Sequence, residues 1–278
     1  LERRCNRHND SQNVKHYCTR AIRVLWLIYV TMRLMTARFY TPPPLPDLHT
    51  TFTLADSVFH HAIVVLRLRV GDSIILFDGV GNAATARLSQ VDKKSAQAIC
   101  EQSHTSHNES PLNITLAQCL SSSDKMDWTI EKAVELGVRR IVPLFSHKSQ
   151  IKLTPERAAK KIEHWQRIII AACGQCERNV LPTLDSPLAI NAFFKQPSNA
   201  YKLALHPNAA TPFKNLTPPA SDQEIILLIG PESGLDDNEI SAAATAGYTT
   251  TLLGPRILRT ESAGLAAIAA LQTVWGDF

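Results

Sequence analysis

The feature that most constrains this chain is a change of rhythm at Pro111. Before it, apolar residues come in short, closely spaced runs separated by turn residues. Ser73-Ile-Ile-Leu-Phe77 follows Gly71-Asp72 and runs into Asp78-Gly79-Val80-Gly81; Ala84, Ala86 and Leu88 then alternate with Thr85 and Arg87. This spacing predicts a small β-barrel over residues 35–108. Asp56–Arg69 interrupts it as a helix, with Phe59, Ile63 and Leu66 on one face and Asp56 as its cap. The polar stretch Gln102–Ser110 reads as a linker.

After Pro111, strands alternate with helices. Ile114–Leu120, Arg140–Phe145, Tyr201–His206, Glu224–Ile229 and Thr249–Leu253 read as strands. Helices start at Asp124, at Thr154-Pro155, at Asp236 (a capping box with Glu239) and near Thr260. Met126, Ile130, Ala133 and Val134 share one face of the first, which Gly137 ends; the second runs to about Cys173. Alternation over residues 109–278 predicts an α/β fold on a mostly parallel sheet, with ligands beyond the carboxyl ends of its strands.

Composition closes off other classes. The 278 residues are 45% hydrophobic and 19% charged, as in a soluble globular chain. The longest apolar run, Val24–Val30, is far short of the roughly 18 residues of a membrane span. Six cysteines are too sparse for a disulfide scaffold and favour a reducing, cytoplasmic setting. Residues 1–34 hold seven basic and two acidic side chains and read as an appended or mis-started extension, with Met35 the preferred beginning. A secretory signal fits poorly, because the apolar core is short and no small-residue cleavage site follows it.

Outside that extension the chain carries 22 basic and 23 acidic groups, so global basicity says nothing about the folded body. Residues 139–178, however, hold nine basic against three acidic side chains, and residues 201–278 hold four against eight. This dipolar layout suits a polyanion-facing patch beside a separate, non-basic pocket, or a solvated helix face.

Five of the eleven glycines fall within residues 230–264. Two strand ends there run into Gly230-Pro231-Glu232-Ser233-Gly234 and Gly254-Pro255-Arg256-Ile257-Leu258-Arg259-Thr260-Glu261. Glycine permits positive φ or close approach of the backbone to a ligand, and proline stiffens the bend. Two such loops side by side form a slot for a flat heterocycle. No Gly-Lys-Ser/Thr or G-x-G-x-x-G follows, so phosphate cradling is disfavoured.

These two motifs resemble the paired signature of the RsmE family of the SPOUT superfamily. Three further stretches agree: Val65-Leu-Arg-Leu-Arg-Val-Gly-Asp72, Lys125-Met-Asp-Trp through Glu131-Lys-Ala-Val-Glu-Leu-Gly-Val138 to Ile141-Val-Pro143, and Gln175-Cys-Glu-Arg-Asn179. The resemblance covers about Met35 to Phe278. It implies a PUA-like β-barrel for RNA, a trefoil-knotted α/β domain for S-adenosylmethionine, and a homodimer that methylates N3 of a uridine in bacterial 16S ribosomal RNA, free or in the assembled particle. No membrane and no metal is implied. Its rivals are a SPOUT enzyme acting on a ribose 2′-hydroxyl and a catalytically silent RNA-binding protein. Two positions depart from the family pattern: Ser233 stands where glycine is usual, and Gly174 where glutamate is usual, with Glu177 nearby.

The resemblance assigns the cofactor to three strand-end segments: Leu205-His206-Pro207, Ile229 to Glu232 with Gly234, and Leu253-Gly254 with Ile257 to Thr260. Arg259 holds the uracil's developing charge or a phosphate. Glu261 and Glu232 act as general bases or favour a cationic sulfonium. Arg178 contacts RNA backbone or the partner's site. Arg38, Arg67, Arg69, Lys148 and Lys152 are expected on RNA, and Lys93, Lys94, Lys160, Lys161 and Arg167 could join them. Cys173-Gly-Gln-Cys176 is weak as a redox or zinc signal at the end of a helix, and adjacent His60-His61 point apart.

Overall fold

The computed structural model describes residues 36–105, 108–149 and 154–278. The expectations placed on residues 1–34, on Met35 and on Lys152 lie outside the described residues.

The first body contains β1 (Ala37–Tyr40), β2 (Thr51–Thr53), α1 (Asp56–Phe59), β3 (Ser73–Phe77), β4 (Asn82–Val91) and β5 (Ala96–Thr105). Its sheet runs β1-β3-β4-β5-β2, parallel between β1 and β3 and antiparallel elsewhere. Ala84, Ala86 and Leu88 are buried while Arg87 is exposed, the period-2 pattern of a half-buried strand. The helix differs from the sequence reading. Its α-helical part ends at Phe59, His60–Val65 continues as a π-helix, and Arg67 turns left-handed at φ +57°. The wider turn shifts the buried positions to Val58 and Ala62 and leaves Leu66 exposed. Ala55 holds the N-cap position, and Asp56 sits in the first turn. The expected linker is shorter than read, because β5 extends through Gln102–Thr105 paired with Asn82–Thr85.

The second body contains β6 (Ile114–Cys119), α2 (Ser123–Glu135), β7 (Arg140–Phe145), α3 (Pro155–Cys176), β8 (Thr183–Leu184), β9 (Leu188–Ala189) and α4 (Ile190–Phe194). It continues with β10 (Tyr201–Leu205), β11 (Thr211–Pro212), β12 (Ile225–Ile229), α5 (Asp237–Thr245), β13 (Thr249–Leu252) and α6 (Thr260–Trp275). Its strands run β11-β13-β10-β12-β6-β7-β8, with β9 also on β7, and every pairing is parallel. Both faces are covered. Leu116, Ile141 and Leu227 pack under α2, α3 and α6 with Ile130, Trp165 and Ile268; Ala117, Val142 and Leu228 pack under α4 and α5 with Phe193 and Ala243. The expected Asp124 cap falls two residues inward: Ser122 is the N-cap residue and Asp124 lies in the first turn. Thr154 caps α3 as its sequence suggests, Oγ1 accepting from Arg157 N at 3.4 Å.

The two bodies meet along residues 177–181. Val180 bridges Gly79 and Val80, Leu181 N donates to Gly79 O at 2.9 Å, and Gly81 N donates to Asn179 O at 3.2 Å. Arg38 donates to Asn179 Oδ1 and Glu177 O, and its guanidinium lies over the Phe77 ring. Burial lowers the Arg38 pKa from its ordinary value, partly offset by Glu177.

Gly174 lies inside α3, where a Cβ would meet Arg38 O at 3.7 Å and Phe77 Cε1 at 3.9 Å, both ordinary contacts. Gly174→Ala is therefore expected to raise stability by about 0.5–1 kcal/mol, read as a higher urea midpoint at unchanged slope.

Candidate active site

β10 lies between β12 and β13, so the loops leaving these three carboxyl ends are neighbours. They enclose a cleft of about 550 Å³. All fourteen residues assigned to a cofactor line it, as does Glu261; so do Lys125, Ser233, Leu235, Thr251, Leu252, Arg256 and Ala263, which received no such role.

Loop shape follows from local chemistry. After β12, Gly234 N donates to Pro231 O at 2.9 Å, closing a turn that holds Gly234 at φ +73°. A Cβ on Gly230 would come within 3.1 Å of Leu235 N, so this position admits glycine alone without a shift. Asp236 ends the loop in a full capping box with Glu239, whose Oε1 also accepts from His147 N at 2.8 Å. Ser233 is accommodated on the exposed side of the turn, its hydroxyl 3.4 Å from Lys148 O.

One hydroxyl ties the cleft together. Thr260 Oγ1, at the start of α6, donates to Gly230 O at 2.6 Å and accepts from Gln118 Nε2 at 2.9 Å. Gln118 is buried at the end of β6, with Nε2 also donating to Cys119 O at 3.1 Å. Gly264 lets α6 sit close: a Cβ there would meet Ile229, Gln118 and Leu116 atoms at 3.3–3.4 Å. Gln118 received no role from the sequence, because a glutamine within an apolar strand has no local signature.

The cleft's charges are unevenly paired. Lys125 Nζ lies 2.5 Å from Glu232 Oε1 and 3.9 Å from Glu261 Oε1. Glu261 is in the first turn of α6, where the helix N-terminus favours an anion, and its Oε2 is buried without a hydrogen-bond partner. The Arg259 side chain is exposed and enters no ion pair or hydrogen bond among the described residues, so the acids pair with lysine and leave the arginine free. His206 Nδ1 accepts from Asn208 N at 3.3 Å, fixing the turn after β10.

Other assigned residues are placed elsewhere. Arg178 is corrected: it is only 2% exposed, pairs with Glu109 at 2.9 Å, and donates to Val134 O and Val138 O. Buried in this way it can reach neither RNA backbone nor a partner's site; its place is to anchor the junction between the bodies. Arg38 is spent on that junction as well. Arg67, Arg69 and Lys148 are exposed, as are Lys93, Lys94, Lys160 and Arg167, whereas Lys161 donates to Ser123 Oγ and lies over Trp165. Burial pushes the Cys173 thiol up to about 12 and raises Cys176, so neither is an activated thiolate. His61 packs edge-on against Phe39.

Each of the two bodies falls on the match of one family model. The model described as "RNA methyltransferase domain" covers residues 108–272, and that described as "RNA methyltransferase PUA domain" covers residues 54–100. The protein is thus an RNA methyltransferase with an attached PUA domain. Ribosomal RNA small subunit methyltransferase E of Buchnera aphidicola subsp. Acyrthosiphon pisum is 35% identical over 233 residues, which cover 84% of this chain and 91% of that protein. A crystal structure of a ribosomal RNA small subunit methyltransferase E from Neisseria gonorrhoeae bound to S-adenosyl methionine superposes with a TM-score of 0.81 at 42% identity, covering 88% of this chain and all of that one. A second structure, from Legionella pneumophila and in complex with the same cofactor, gives 0.82 at 36% identity over 88% of this chain and all of that one. The chain belongs to the ribosomal RNA small subunit methyltransferase E family.

Three substitutions test this geometry. Thr260→Val leaves Gly230 O and Gln118 Nε2 without their shared partner and is expected to cost about 1–3 kcal/mol, with faster amide exchange across residues 230–235; Thr260→Ser should keep both near wild type. Arg178→Ala removes the ion partner of Glu109 and the donor to Val134 O and Val138 O, and is expected to cost about 3 kcal/mol in denaturant titration.

Proposed function

We propose that this chain transfers a methyl group from S-adenosylmethionine to N3 of a uridine in the 16S RNA of the small ribosomal subunit, in the cytoplasm and as a homodimer. The observation that carries the reading is the Glu261 carboxylate: one oxygen is buried with no partner among the described residues, in a cleft whose apolar walls include Leu205, Ile229, Leu253 and Leu258. A cleft of about 550 Å³ lies in the range of small-molecule sites, its apolar walls suit an adenine, and the lone carboxylate suits a cation. When bound, the cofactor supplies an electrophilic methyl group on a positively charged sulfur.

The residues of the chain then have distinct tasks. The strand-end loops hold the donor in one orientation, so that most of the acceleration comes from positioning. Glu261 sets a negative charge against the donor's positive one. Arg259, unpaired at the mouth of the cleft, offers a planar fork to the uracil oxygens as N3 loses its proton and the ring gains negative charge. Exposed Arg67, Arg69 and Lys148 supply cations for RNA backbone. Ile257, 84% exposed at the rim of the cleft, gives apolar surface for a second copy, and the trefoil knot belongs to the same proposal.

Transfer to small-subunit RNA, followed by mass spectrometry of the nucleosides, should give 3-methyluridine; a methylated ribose would refute the base assignment. Absence of S-adenosylhomocysteine binding in calorimetry would favour a silent RNA-binding protein. Arg259→Ala is expected to lower kcat by about 100-fold or more while leaving cofactor Kd within a few-fold; equal losses in both would move Arg259 to the cofactor.

A further inference from the structure

The resemblance and the comparisons give Lys125 no role, yet it stands between the two acids of the cleft. It reaches in from the first turn of α2, whereas Glu232 comes from the loop after β12 and Glu261 from α6. Its ammonium is in direct contact with Glu232 Oε1 at 2.5 Å and only at the edge of range, 3.9 Å, from Glu261 Oε1. The burial of the acids differs in the same sense. The Glu232 side chain is 46% exposed and paired; that of Glu261 is 13% exposed and keeps Oε2 unpartnered. The three groups together carry one net negative charge, and the geometry puts it on Glu261.

We propose that Lys125 is a positioning residue that divides the two carboxylates. It clamps Glu232, and with it the loop after β12, to α2, and it leaves Glu261 as the less compensated of the two carboxylates, the negative charge by which the cleft prefers a cationic donor to its neutral product. This rests on the S-adenosylmethionine reading above. In the transfer, the N3 proton passes to water, the sulfur–methyl bond breaks with its electron pair passing to sulfur, and the methyl–N3 bond forms. The sulfonium thereby becomes a neutral thioether in S-adenosylhomocysteine. Donor and product share their adenosine and amino-acid parts, so the ratio of their affinities isolates the charge the cleft presents. A lysine that only held the fold would weaken both alike and leave the ratio unmoved.

Calorimetry with S-adenosylmethionine and S-adenosylhomocysteine on the full chain tests this. Lys125→Met uncovers Glu232 and adds a second negative charge, so the preference for the cation should rise by about fivefold. Glu232→Gln releases Lys125 toward Glu261 and should lower the preference by a similar factor. Lys125→Arg should restore the wild-type ratio. A ratio unchanged in both neutralised variants, or lowered by Lys125→Met, overturns the proposal, and either variant decides it if the other does not fold. Wild-type protein that binds neither compound overturns the cofactor reading itself, and this inference with it.

Discussion

The Thr260 hydroxyl is the contact on which the cleft depends. Two loops that leave different strands can make one binding surface only if something fixes their separation. Here a single oxygen accepts from Gln118 at the end of β6 and donates to Gly230 after β12, while belonging to the first residue of α6. Three elements are set by two hydrogen bonds in a buried place, where leaving either unmade is costly. The glycines around it follow from the same demand. Gly230 avoids Leu235, and Gly264 admits α6 against Ile229 and Leu116, so that the helix start reaches the loop at all.

A comparable economy governs the junction of the two bodies. Glu109 accepts from Asn179 N and Val180 N with Oε1 and pairs with Arg178 through Oε2, while Arg178 also caps carbonyls at the end of α2. One acid and one arginine thus hold the segment that receives Gly79 and Val80 of the barrel. Arginines that sequence alone would send to RNA are used here, as Arg38 and Arg178 both are.

What could be read in advance was what local pattern encodes. Strand–helix alternation gave β7 and β12 nearly to the residue, Thr154-Pro155 and Asp236 marked real helix starts, and the Gly-Pro bends pointed to two strand ends that line one cleft, although β10 stands between them rather than the two being adjacent. What escaped depends on partners distant in the chain. Gln118 meets Thr260 across 142 positions and Arg178 meets Glu109 across 69, and nothing beside either residue announces the pairing. Lys125 reads only as the start of a motif, because the acids that define it arrive more than a hundred residues later. The π-helical widening after Phe59 likewise breaks the 3.6-residue period from which burial was read.

The clamped junction carries a mechanical corollary. The first body is joined to its neighbour by main-chain bonds at Gly79 and Gly81 and by Arg38 donating to Asn179 and Glu177, so residues 177–181 are tied at several points at once. In the proposed reading, with RNA backbone on Arg67 and Arg69, such a tie works as a caliper: it sets the gauge to the slot and passes the bending to the polynucleotide.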